Sequence, residues 1–170
     1  LGSEGAHPLE GQISNLQVLY GAGFRLLGLT HFFDNELGGS LHGKGGPGSG
    51  LTDFGREVVA GMMERRMIID LAHASPQVVR DVLAIPGTRP VLSHTGIHGR
   101  CATPRNLPDD LLKAIADKGG VIGIGYWSDV VCGKTPSGIA ETIAAAIALL
   151  GEDRVSLGSD YDGSVDAPIG

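Results

Sequence analysis

Residues 67–83 read MIIDLAHASPQVVRDVL, and the two halves of this stretch follow different periods. Met67 to Leu71 is a short run, apolar except for Asp70, of the length of a buried strand. Ser75 followed by Pro76 is a helix start. The serine hydroxyl can accept an amide of the first turn, and proline at the first helical position has no amide to waste. Val78, Val79, Val82 and Leu83 then recur on one side of a helix. His73 stands between strand and helix. The stretch therefore predicts one β-loop-α unit with an imidazole on the loop.

The same grammar continues in both directions. Downstream, Val91–Ser93 is a strand after Pro90, and Pro108 opens a helix with Leu111, Leu112 and Ile115 that Gly119 closes. Val121–Tyr126 is the next strand. Ile139, Ile143, Ile147 and Leu150 mark a helix ended by Gly151, and Val155–Leu157 is the last strand. Upstream, Thr52 caps a helix carrying Phe54, Val58, Val59, Met62 and Met63. Phe24–Thr30 is a strand. Leu9, Ile13, Leu16, Leu19 and Tyr20 follow a helical period that Gly21 and Gly23 stop, and Leu1–Ser3 is the end of a strand. Short apolar strands alternating with amphipathic helices predict an α/β fold with a parallel sheet, either open and doubly wound or closed as a (β/α)₈ barrel. Neither GxGxxG after a strand nor GxxxxGK[ST] occurs, so a nucleotide-binding fingerprint is missing. Seven glycines fall between Gly38 and Gly50. They predict a long surface loop, read as an active-site loop because elements of one style lie on both sides of it.

Composition narrows the function. The 170 residues carry 13 Lys and Arg against 19 Asp and Glu, a net charge of −6, with 42% apolar residues. That describes a globular protein without the basic surface nucleic acids require. No apolar run reaches the roughly 20 residues that span a bilayer. Cys101 and Cys132 form no CxxC, so a zinc ribbon or thioredoxin motif has no support. The first residue is Leu rather than Met, which leaves the compartment open.

The chemistry gathers at strand ends. Glu4, His31, His73, His94 and Asp160 each follow a predicted strand, and in a parallel barrel all such ends face one mouth. Imidazoles with a carboxylate suit zinc or a similar divalent ion. Taken singly, each has a plainer explanation: a solvated loop histidine, a helix-start Glu4, a helix-capping Asp160. Asp70 reads equally as a partner of this group or as a solvated residue. His42 and His98 read as solvated loop residues, and His7 has no assigned role.

Seven segments resemble the renal (membrane) dipeptidases, in family order over nearly the whole chain. They are SEGAH (Ser3–His7), LTH (Leu29–His31), GLTDFGREVV (Gly50–Val59), IDLAHAS (Ile69–Ser75), LSHTG (Leu92–Gly96), PRNLPDDLL (Pro104–Leu112) and GSDYDG (Gly158–Gly163). The resemblance implies a binuclear zinc (β/α)₈ TIM-type barrel in which metal-activated water attacks the carbonyl of a dipeptide, often one with a C-terminal D-residue. It implies that Glu4 bridges two zinc ions and that His73 and His94 complete one of the two metal sites. His31 would contact the scissile carbonyl oxygen. Arg105 would pair with the substrate carboxylate, for which a guanidinium fork is suited. Without the resemblance, Arg105 reads as a surface arginine. Asp160 would handle a proton and hold the substrate amino group. Relatives outside the cytosol also have a disulfide at positions similar to Cys101 and Cys132.

One element of the family pattern is absent. The H-x-D pair that the first barrel strand contributes to the second zinc site does not occur. Glu4 matches the third strand. Residues 1–170 are therefore expected to be one hydrolase barrel domain lacking its first strands and its C-terminal end, about six of eight βα units. One metal site would be incomplete, and open sheet edges would favour association, for example as a homodimer. Two other readings compete: a catalytically incomplete member that binds metal or peptide, and another metal-dependent amidohydrolase. The Arg105 of RN-x-PDD argues for a free acid in the substrate and against a nucleobase.

Overall fold

The computed structural model describes residues 1–133, 135–163 and 165–166. They form two compact units, one running from Leu1 to Val91 and the other beginning at Leu92. Each is a three-stranded parallel sheet with its helices.

In the first unit the strands are β1 (Gly2–Ser3), β2 (Leu26–Gly28) and β3 (Ile68–Asp70), ordered β1-β2-β3. Leu26 pairs with Gly2 on one side and Ile68 on the other, so the three strand ends run level. Val91 continues the ladder through an isolated parallel bridge to Asp70. The helices are α1 (Ser14–Gly21), α2 (Asp53–Glu64) and α3 (Pro76–Ala84). Their starts follow from the sequence: Thr52 accepts from the Gly55 amide, and Ser75 from the Val78 amide with Pro76 in the first turn. Val58, Val59 and Met62 of α2 and Val78, Val79 and Val82 of α3 are buried, as are Leu27, Leu29, Ile69 and Leu71 from the strand segments. Burying such a side chain contributes about 1.5–3 kcal/mol, and α2 packs on β3.

The second unit has β4 (Leu92–Thr95), β5 (Ile122–Ile124) and β6 (Val155–Leu157), in that order. Its helices are α4 (Asp109–Asp117), a single turn α5 (Ser128–Val131) and α6 (Pro136–Leu150), which packs on β5 and β6. Asp109 and Asp110 lie in the first turn of α4, where negative charge suits the helix dipole. Trp127, Val130, Val131 and Ile139 form a buried cluster. A disulfide joins Cys101 to Cys132, with Cα atoms 5.4 Å apart, as the resemblance implies.

All six predicted strands are present, and within each three-stranded sheet they run parallel. Two expectations are corrected. The helix read from Leu9 to Tyr20 is a 3₁₀ turn, His7–Leu9, followed by α1 from Ser14. Glu10 and Gly11 adopt positive φ values of 48° and 68°, which no continuing helix tolerates. The glycine-rich segment is not wholly at the surface. Leu37 to Ser40 is buried, with isolated bridges from Gly38 to Asn35 and Leu51 and from Ser40 to Ala74. Those bridges satisfy backbone groups that an interior loop would otherwise leave without partners. No helix among the described residues is long and apolar enough to cross a membrane.

Candidate functional site

In the first unit, level parallel strands deliver three side chains to one place. Glu4 follows β1, His31 lies shortly after β2, and His73 lies shortly after β3. Glu4 Oε1 is 2.9 Å from His73 Nε2 and 3.6 Å from His31 Nε2. The two imidazoles meet edge to face, with ring centroids 4.6 Å apart. One ligand atom from each of the three residues lies within 4.8 Å of the others. Donors about 2.1 Å from a tetrahedral ion stand roughly 3.4 Å apart, a separation that lies between the 2.9 Å and 3.6 Å measured from Glu4 to the two imidazoles. Two imidazoles and one carboxylate form a donor set that suits zinc and related divalent ions.

The backbone is arranged for this group at some cost. His73 has φ 64°, a left-handed conformation that a β-carbon disfavours by about 1–2 kcal/mol. The turn aims the ring back toward Glu4, with the side chain almost wholly buried. Asp70 is buried, and its Oδ1 accepts the Ala72 amide, so it shapes the turn leading to His73. Sequence reasoning gives His31 to the substrate; the structure places its ring nitrogen inside the same cluster as Glu4 and His73.

Phe32, which sequence reasoning did not single out, and His42 border the cluster. The Phe32 ring lies 4.4 Å from His31 and 5.4 Å from both His42 and His73. His42, read as a solvated loop residue, is exposed, yet its ring is 5.9 Å from that of His73. His98, read in the same way, is partly buried, with Nδ1 3.3 Å from the Asn106 carbonyl. A loop contact across such a sequence distance leaves no periodic trace.

In the second unit, His94 on β4 has its Nδ1 2.8 Å from the Ser93 hydroxyl and its Nε2 3.9 Å from Asp160 Oδ2. Asp160 lies just past β6 with φ 56°, the same left-handed geometry as His73. Arg105 is only 7% exposed. This corrects its reading as a surface residue. Its Nη2 donates to the His94 carbonyl at 3.3 Å, and its guanidinium lies 5.5 Å from the centre of the Trp127 ring. Trp127 also stands 5.8 Å from the His94 ring. The neighbouring Asn106 explains why the loop can bury an arginine. Its side chain accepts the Gly96 amide at 2.7 Å and donates to the carbonyls of Cys101 and Val130. Together with the disulfide, it fastens the loop after β4 to the loop after β5. Tyr126 begins that second loop, and burial, with a smaller contribution from Tyr161, pushes its phenol above the usual value.

A family model described as membrane dipeptidase (peptidase family M19) matches residues 1–170. An uncharacterized protein of Klebsiella pneumoniae is 33% identical over 171 residues, covering 94% of this chain and 63% of its own length. An uncharacterized dipeptidase of Schizosaccharomyces pombe is 31% identical over 180 residues, covering 100% of this chain and 42% of its own. The crystal structure of a metallopeptidase from Rhodobacter sphaeroides, liganded with a phosphinate mimic of the dipeptide L-Ala-D-Ala, superposes with a TM-score of 0.83 at 25% identity, over 98% of this chain and 50% of that one. The chain thus spans between 42% and 63% of the length of these relatives.

Proposed function

Since this chain belongs to the membrane dipeptidase family, peptidase family M19, we propose that the protein carrying it is a zinc-dependent hydrolase of dipeptides. The observation that supports this reading most directly is the convergence of Glu4, His31 and His73, a donor set for a divalent ion at level strand ends. In this reading the six strands are consecutive units of one (β/α)₈ barrel domain.

The roles follow from the chemistry of each side chain. By the family resemblance Glu4, His73 and His94 would hold the metal, with His31 beside Glu4 and His73 left to face the substrate. A bound divalent ion would supply two things, acidification of water near neutral pH and polarisation of the peptide carbonyl. His31 offers an N–H to the negative charge that develops on the carbonyl oxygen, an interaction that strengthens toward the transition state. Asp160 holds the substrate ammonium and handles the proton of the attacking water or of the leaving amine. Arg105 receives the free carboxylate, and its burial strengthens that contact relative to one made in water. Recognition of both charged ends restricts the substrate to two residues. The phosphinate mimic bound by the Rhodobacter sphaeroides metallopeptidase supports acceptance of a C-terminal D-residue.

The test is a substrate comparison in the full-length protein after zinc loading. L-Ala-D-Ala and L-Ala-L-Ala should be cleaved, a tripeptide and an N-acetylated dipeptide should not, and a chelator should abolish cleavage until zinc is restored. Equal cleavage of the tripeptide, or full activity in chelator, would refute the reading.

A further inference from the structure

The sequence reads the glycine-rich segment after His31 as an active-site loop without assigning any of its residues a role. Ser40 lies in that segment and is fully buried. Its hydroxyl donates a short hydrogen bond to the His31 carbonyl and accepts the His42 amide at 3.2 Å. The next residue, Leu41, donates its amide to the His73 carbonyl at 2.7 Å. Two consecutive residues therefore grip the backbones of both imidazole-bearing residues. Ser40 is itself held from outside. Its amide donates to Asp34 Oδ1 and the Gly45 amide to Asp34 Oδ2, both at 2.8 Å. The Asp34 carboxylate thus closes the segment into a loop around itself. The glycines permit this: a β-carbon at Gly43 would fall 1.7 Å from Asp34 Oδ1.

We infer that Asp34 and Ser40 are positioning residues, a clamp that sets the spacing of His31 and His73 by holding their main chains. The inference rests on the reading that these imidazoles serve a metal-dependent reaction. Neither Asp34 nor Ser40 touches the imidazoles' ring nitrogens through the bonds described, so both act through His31 and His73. Groups that orient metal-site residues commonly alter metal affinity by about 10–100-fold when removed.

The test compares zinc affinity, measured by competition with a chromophoric chelator, with kcat, KM and melting temperature in the full-length protein. Ser40→Ala and Asp34→Ala should each weaken zinc at least tenfold and lower kcat more than they raise KM. Asp34→Asn keeps one acceptor oxygen and should fall between Asp34→Ala and the wild type. It also serves as the milder variant should the alanine forms fail to fold. Thr135→Ala is the control: it removes the α6 cap, lowers stability and bonds to neither the Asp34–Gly45 segment nor the two histidines, so zinc affinity should stay within twofold. A folded Ser40→Ala protein with wild-type zinc affinity would overturn the inference. So would a Thr135→Ala protein that loses zinc affinity to the same degree. Zinc binding that responds to Ser40 in a protein that cleaves no dipeptide would refute the proposed reaction and leave the clamp standing. A wild type that binds no zinc would overturn both.

Discussion

Glu4 Oε1 and His73 Nε2 are 2.9 Å apart although 69 residues separate them in the chain. The parallel register of β1, β2 and β3 makes this contact, because it sets the ends of three strands side by side. The strained turn at His73 completes it.

That turn separates function from stability at one position. His73→Ala and His73→Gly should both abolish zinc binding. Glycine relieves the left-handed strain that alanine keeps, so His73→Gly should be more stable than His73→Ala by about 1 kcal/mol. Chemical denaturation of the metal-free variants measures the difference. A more stable alanine variant would mean that the backbone relaxes once the ring is gone.

Asp34 predicts an acid-sensitive element. Hydrogen bonds from the backbone amides of Gly45, Ser40 and Lys44 hold its carboxyl below the ordinary value. A carboxyl depressed in the folded state stabilises above its unfolded pKa of about 3.9, and the contribution disappears as pH falls through the folded pKa. The melting temperature of the wild type should therefore exceed that of Asp34→Asn by a constant margin above about pH 5. The margin should close at lower pH. A margin that widened on acidification would contradict the bonding pattern.

The Cys101–Cys132 bridge spans a sequence separation of 31. Closing a loop of that length stabilises by roughly 3–4 kcal/mol in the chain-entropy account, with engineered cases lower. The Cys101→Ala/Cys132→Ala protein should unfold at distinctly lower urea concentration than the oxidised wild type. Reduced wild type should behave like the double variant. Coincident curves for oxidised and reduced protein would show that the bridge adds nothing.

Arg105 distinguishes a dipeptidase from a general metal hydrolase. Arg105→Ala should lower kcat/KM for free-acid dipeptides by about 100-fold, the scale of a charged hydrogen bond of roughly 3 kcal/mol. A dipeptide amide should lose far less. Arg105→Lys should recover only part of the loss, since an ammonium cannot make the bidentate contact. Equal losses on acid and amide would remove the carboxylate role.

Much of this arrangement is legible in the sequence because it rests on local rules. Thr52 and Ser75 announce their helices as caps, and the apolar runs at Met67–Leu71 and Val121–Tyr126 announce strands. The placement of Glu4, His31, His73 and Asp160 after strands then follows from counting along the chain, whereas His94 lies within β4, which runs past the predicted Val91–Ser93. What escapes are contacts without a period. The backbone reversal at Glu10 and Gly11 is hidden because the apolar spacing continues across it. Asp34 reaches Ser40 and Gly45 through a folded loop, which no helical or strand spacing encodes. The burial of Arg105 depends on Asn106 bonding to three separate backbone sites. Trp127 meets Arg105 only after two loops have packed together.

Anomalous diffraction at the zinc edge, from crystals of the full-length protein grown with zinc, measures the central claim most directly. The account predicts a peak about 2.0–2.2 Å from a Glu4 carboxylate oxygen and about 2.0–2.1 Å from an imidazole nitrogen of His73. That peak should vanish in Glu4→Gln crystals. Zinc bound elsewhere in an active enzyme, with no peak beside Glu4 and His73, would contradict it.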